Sequence, residues 1–208
     1  MTTPRDLLII AMDLAASRTL ERGDLSLALA GAELLDLLDA QAITLAGDHI
    51  VPSDRHAVAD RMLDEAASSL ARQAPYDSVD DWLWRRGRDL SAAYLAALEA
   101  EGQLSRQRHR RWLIFQPTHL VLVDSPARRH AANRYASDEP ILAALAAAVG
   151  IGDNVGIGDK PTGESPSVAD DAVATVLAAV LDAVRGLEAE RQRRALDEAA
   201  FDNIWRGE

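Results

Sequence analysis

The sequence predicts a mostly α-helical single domain over residues 1–208, with two short helix–β-hairpin units of winged-helix-like form. Three observations lead there. Apolar residues make up 48% of the chain and aromatics only 4%, so the core must be built of Leu, Ala and Val, a composition that favours helices. Apolar positions recur at helical spacing, most regularly at Val173, Val176, Leu177, Val180, Leu181, Val184 and Leu187. Runs of β type are short and come in two closely spaced pairs, enough for hairpins. A length of 208 residues suits one sizeable domain, and nothing forces two.

Each element has its own signal. Thr3-Pro4-Arg5-Asp6 supplies an N-cap, a proline at the first helical position and an acid in the first turn, predicting a buried helix over Leu7 to Ala16. A polar loop around Gly23 precedes a core helix from Leu25 to Leu38. The runs "ITL" and "HIV", split by Ala46-Gly47-Asp48, predict a hairpin. Ser53-Asp54 is expected to start the next helix, with Val58, Met62, Leu63, Ala66 and Leu70 as its stripe and Pro75 as its end. The segment "YDSVDDWLWRRG" has acids first and arginines last, which suits the helix dipole. Asp89 to Glu101 predicts another helix, closed by Gly102 in a left-handed cap. A second hairpin follows, with strands expected near 103–106 and 111–115. Units 25–51 and 89–115 share the order helix then hairpin and form a weak internal repeat. Helices are expected near 125–135 and 140–149, then a flexible Gly/Pro/Ser-rich loop over 150–167. Ser167 and Asp170 cap a long helix, and "EAERQRR" with "FDNIW" is expected to pack as a terminal helix on the core.

Composition bounds the function. The chain has no cysteine, which removes disulfides, thiolate nucleophiles and Cys-based metal sites and fits a reducing compartment. The opening "MTTPRDLLIIAMD" lacks a signal-peptide pattern, and the longest uncharged stretch, "ILAALAAAVGIG", is too short to span a bilayer of about 30 Å. A cytoplasmic location is expected, with a peripheral position on the inner membrane face left open. No catalytic constellation stands out. His49, His56, His109, His119 and His130 form no metal-binding spacing, and no nucleophile elbow or phosphate loop is present. The repeated "LDEAA" places its acids on diverging helix positions. The reading is therefore of a non-enzyme with neither cofactor nor metal.

Charge is the informative bulk property. The formal total is −11, yet the segment from Arg85 to Arg134 holds ten arginines against four acids, a surplus of +6 that leaves −17 on the other residues. Arg85, Arg86 and Arg88 precede one helix. Arg106, Arg108, Arg110 and Arg111 crowd the second hairpin beside Trp112, and Arg128, Arg129 and Arg134 follow. Guanidinium groups hold phosphate in a two-pronged fork, so several that converge can bind a phosphorylated head group. A neighbouring Trp112 suits the interfacial layer of a membrane. The plain alternative is a solvated hairpin tip. Lys160 is the only lysine, a bias that the codon usage of a GC-rich genome explains.

A series of motifs resembles the Golgi phosphoprotein 3 family. In order they are "LLIIAMD", "LAGAELLDLLDAQAI" with its central Asp36, "MLDEAASSLA", "SVDDWL", "LAALEAEGQL" and "RRWLIFQPTHL", together spanning roughly residues 5–145. The resemblance implies a mostly helical single domain with a protruding hairpin. It also implies a peripheral membrane protein, since eukaryotic members bind phosphatidylinositol 4-phosphate and help retain enzymes in the Golgi. Their lipid pocket uses a tryptophan, an arginine and two further basic residues. Those positions fall here on Glu21, Ala30, Arg88 and Ser91, so one anchor of the four is kept. Arg22 and Arg85 lie close enough in sequence to substitute. The lost anchors and scarce lysine point to a bacterial member.

Three roles follow. The first is an adaptor that binds an anionic phospholipid head group through Arg88, Arg85 and Arg22, with the hairpin arginines and Trp112 on the membrane surface. The second is a scaffold that forms homo-oligomers through the hairpin. Nucleic acid is disfavoured, because non-specific DNA affinity is electrostatic and the molecule is acidic outside its patch.

Overall fold

The computed structural model describes residues 2–14, 20–53, 58–107, 119–151 and 168–206. Among them are eight helices and two two-stranded antiparallel sheets, the predicted class. Helix α1 spans Thr3–Leu14 and α2 spans Arg22–Asp39. Strands β1 (Ile43–Ala46) and β2 (His49–Pro52) make the first hairpin. Helices α3 (Arg61–Ser68), α4 (Val79–Arg86) and α5 (Leu90–Ala100) follow. Strands β3 (Leu104–Gln107) and β4 (His119–Leu122) form the second hairpin. Then come α6 (Pro126–Ala136), α7 (Pro140–Ala148) and α8 (Val168–Arg206).

α2 is the centre. It is apolar on nearly every face, which fits a helix surrounded by others, and α1, α3, α4, α5, α7 and α8 all pack on it. Gly31 lets α8 reach it: a Cβ there would stand 2.2 Å from Val180 Cγ2. From its far side α2 also caps α1, because the Asp36 carboxylate accepts the Thr3 backbone N–H at 2.8 Å. Trp82, Tyr94, Leu29, Leu34 and Leu83 are fully buried in the same core. The first hairpin pairs Ile43 with Pro52 through Ala46 with His49, turning at Gly47, whose φ of +66° is the left-handed region.

Three sequence expectations are corrected. α3 starts at Asp60, whose carboxylate accepts from Met62 N at 2.9 Å and Leu63 N at 3.2 Å. It ends at Ser68, well before Pro75, although Met62, Leu63, Ala66 and Leu70 are buried as expected. The expected start at Ser53-Asp54 falls partly on 54–57, outside the described residues. β3 pairs with His119–Leu122, in the register Leu104 with Leu122 through Gln107 with His119. The strand expected over 111–115 lies outside the described residues. The last segment is not a separate helix, because α8 runs unbroken to Arg206; residues 192–198 are exposed, and the side chains of "FDNIW" lie outside what is described. Its apolar stripe stops at Leu187, after which ion pairs such as Arg194 with Glu190 at 2.9 Å sustain it. Residues 152–167, most of the expected loop, lie outside the described residues. Among the described residues no helix is long and apolar enough to cross a membrane.

Candidate functional site

A surface hollow of about 270 Å³ opens where the starts of α2 and α5 meet. Arg22, Gly23 and Ser26 come from α2, and Trp84, Gly87, Arg88 and Asp89 from the α4–α5 corner. Ser91 and Ala92 open α5, and Leu187 of α8 supplies a wall. Gly23 lets that wall come close, since a Cβ there would stand 2.7 Å from Leu187 Cδ2 and the leucine end would have to shift.

The floor is a closed hydrogen-bond chain. Ser91 N donates to Ser26 Oγ at 3.0 Å, and Ser26 Oγ donates to Ser91 Oγ at 2.9 Å. Ser91 Oγ in turn donates to the Arg22 carbonyl at 3.4 Å. Both serines are buried, so this chain staples α5 to α2 and fixes the spacing of the two helix starts. The helix starts above it differ in how they are capped. Asp60, Ser78, Ser125 and Glu139 cap α3, α4, α6 and α7 with their side chains. The N-cap residues of α2 and α5, Glu21 and Asp89, make no such bond. Asp89 is instead held at φ 55°, in the left-handed region, which turns the chain sharply between Arg88 and α5. In α5 the first turn is satisfied in other ways, Ser91 N by Ser26 Oγ and Leu90 N by the Gly87 carbonyl at 3.4 Å, so among the described residues it is the start of α2 that presents an uncapped first turn, a partial positive charge, to the hollow.

Among the described residues neither Arg22 nor Arg88 makes an ion pair, and both are exposed. The other described arginines of the surplus are engaged. Arg85 Nη2 reaches Asp77 at 2.7 Å, and its guanidinium lies 5.2 Å over the Trp82 ring. Arg85 does not line the hollow. Arg128 pairs with Asp13 at 2.6 Å, and Arg134 with Asp6 at 2.6 Å and Glu139 at 3.0 Å. Arg129 stands 4.0 Å from Asp124. Arg108, Arg110, Arg111 and Trp112 lie outside the described residues, as does the side chain of Arg106. His49 and His130 are half-exposed beside Asp48 and Asp6.

Arg86 is the most heavily engaged. It forks onto Glu33 at 2.8 and 2.9 Å, donates to Glu65 at 3.0 Å, and shares Glu33 with the Tyr94 hydroxyl at 3.0 Å. Burial pushes the fully buried Glu33 carboxyl above its ordinary range, with Arg86 and Tyr94 pulling it back. Burial would lower the Arg86 guanidinium, but the Glu33 fork outweighs it and holds the group above its usual value. This brace ties α4 to α2 two residues before Arg88, and so fixes the corner from which Arg88 leaves. Beside the hollow, burial also raises the Asp24 carboxyl, against the pull of Arg191.

Two participants escaped sequence reading. The spacing of "WLW" sends Trp82 and Trp84 to different faces of α4: Trp82 is fully buried, with Nε1 donating to Ala30 O at 3.4 Å, while Trp84 is 40% exposed on the hollow. Ser91, which stands where the resembling family has a basic residue, serves as a staple. No curated protein matches the chain. A family model described as Golgi phosphoprotein 3 (GPP34) matches residues 4–204, nearly the whole length, and carries the motif order through the C-terminal helix. The chain belongs to the Golgi phosphoprotein 3 family.

Proposed function

We propose that this protein is a peripheral membrane adaptor that holds the phosphorylated head group of an anionic phospholipid in the hollow. Arg22 and Arg88 are its principal contacts. The observation that carries the reading is the meeting of two guanidiniums from distant parts of the chain, unpaired among the described residues, with the uncapped start of α2, on a molecule of net charge −11. A phosphate monoester suits that arrangement, since guanidinium forks and free backbone N–H groups both favour its oxygens. Family membership supports a lipid-linked role. Phosphatidylinositol 4-phosphate, the head group named by the resemblance, is the first lipid to test. The role is binding rather than catalysis, and the hairpin arginines with Trp112 would add surface attraction.

Co-sedimentation with vesicles tests this. Wild-type protein is expected to pellet with phosphatidylcholine vesicles containing phosphatidylinositol 4-phosphate and not with phosphatidylcholine alone. Replacing both Arg22 and Arg88 by Ala removes two charges worth about 1 kcal/mol each at such a surface, and so weakens binding roughly thirty-fold. Arg85→Ala is the comparison and is expected to change little, because Asp77 already balances that charge. Equal pelleting with neutral and anionic vesicles, or an unaffected double variant, would overturn the proposal.

A further inference from the structure

Trp84 is out of place for a core helix. α4 has eight residues, and it buries Val79, Trp82 and Leu83 while leaving a second indole 40% exposed. The described chain has few exposed large apolar side chains: Leu14, Trp84, Val121, Val123 and Leu196. Of these, only Trp84 lines the hollow that Arg22 and Arg88 share. Its indole N–H has no partner among the described residues. Gly186 on α8 comes within contact range of one edge of the ring, a Cβ there standing 4.0 Å from Cζ2, so the indole is supported from behind.

A shallow polar hollow with cationic groups and an exposed indole on the same surface matches a membrane interface in cross-section. There the charged groups meet phosphates while tryptophan sits at head-group depth, with its ring toward the acyl boundary. We infer that Trp84 is an interfacial anchor: with a head group seated between Arg22 and Arg88, its indole enters the bilayer interface. The face formed by the α4–α5 corner and the start of α2 is then the one that docks on an anionic membrane. This inference rests on the proposed lipid reading and adds a depth to it. The occupant is a lipid surface rather than a free phosphate compound, because a soluble ligand would gain from the arginines but leave the indole in water.

The two sources are separable with one variant. Trp84→Ala is expected to lose clearly more affinity for vesicles than for the water-soluble inositol bisphosphate head group, the latter read by calorimetry, and an equal loss for both would overturn the anchor. Losing a partly exposed indole from the interface should weaken its partitioning onto phosphatidylcholine vesicles with phosphatidylinositol 4-phosphate by about tenfold. Trp84→Phe is expected to restore most of the vesicle binding and to lose the Trp84 share of the quenching of tryptophan emission by brominated phosphatidylcholine, leaving the share of Trp112. An unfolded variant would be revealed by circular dichroism, and Trp84→Phe then decides by its quenching alone. If Trp84→Ala partitions like wild type, or if wild-type emission is not quenched in Trp84-dependent fashion, the anchor is overturned while the hollow stands. If wild type binds neither soluble head group nor vesicles, the lipid reading itself fails and the anchor with it.

Discussion

Arg86 ends α4 with its guanidinium buried against Glu33, and two positions later Arg88 leaves the same corner with no ion pair among the described residues. The residue type is shared; only the surroundings differ. A buried ion pair adds little net stability compared with an apolar pair, but breaking one is costly because a charge is left alone. Glu33→Ala strands Arg86 and removes the Tyr94 hydroxyl's acceptor, so it is expected to destabilise by about 3–5 kcal/mol in urea unfolding. A loss under about 1 kcal/mol would mean that Glu65 and the Met62 carbonyl suffice to hold Arg86. None of this was legible beforehand. "AGAELLDLLD" reads as a helix whose acids could face water, and nothing local tells Glu33 from Asp39. Burial of Glu33 follows from α4 and α5 arriving on that side of α2. Asp36 was singled out within the family motif, and the structure gives it a job there, capping α1.

At the scale of elements, the close approach of α2 and α8 depends on Gly31. Gly31→Ala would otherwise gain helix propensity, by up to about 1 kcal/mol. Its new Cβ meets Val180 at 2.2 Å, so overpacking should win and leave a net loss of about 1–3 kcal/mol, read as a lower melting temperature. Val180→Ala added to Gly31→Ala should recover part of it, since the two changes share one contact. Helix existence and order were legible throughout because apolar spacing and caps are local properties. Boundaries were less so. Ser53, Asp54 and Asp60 are equally good N-cap types, and only the structure shows which one meets free N–H groups. "WLIF" has strong β character, yet strand pairing is decided by what lies beside β3. Leu104 and Leu122 face each other and are both buried, so the buried pair determines the described register.

Across the whole molecule, the acidic excess and the buried carboxylates push stability the same way with pH. Burial raises Asp6 against the pull of Arg134, Asp36 against its bonds from Thr3, and Glu33 and Asp24 against their arginines. A carboxyl raised on folding binds its proton more tightly in the native state. Stability therefore falls as pH rises from the ordinary carboxylate range, about 4, through the raised folded values, and is recovered on acidification through that window. Urea midpoints measured across mildly acidic to neutral pH are expected to increase toward acid. Repulsion among surface acids gives the same sign, but salt screens it, so the trend should survive at about 1 M salt if burial is its cause. Midpoints that fall steadily with acidification would show that the arginine partners dominate instead.

By itself the sequence determined the helical class, the order of elements, the family and the basic surplus in one segment, because all four are written in local spacing and composition. Tertiary structure decided which arginines are available. Arg86, Arg128 and Arg134 were matched to acids from remote helices, Arg85 and Arg129 to nearer ones, and Arg22 was brought to Arg88 from the start of another helix. Ion pairing depends on distance in space and not along the chain, so charge could be counted from the sequence while free charge could not.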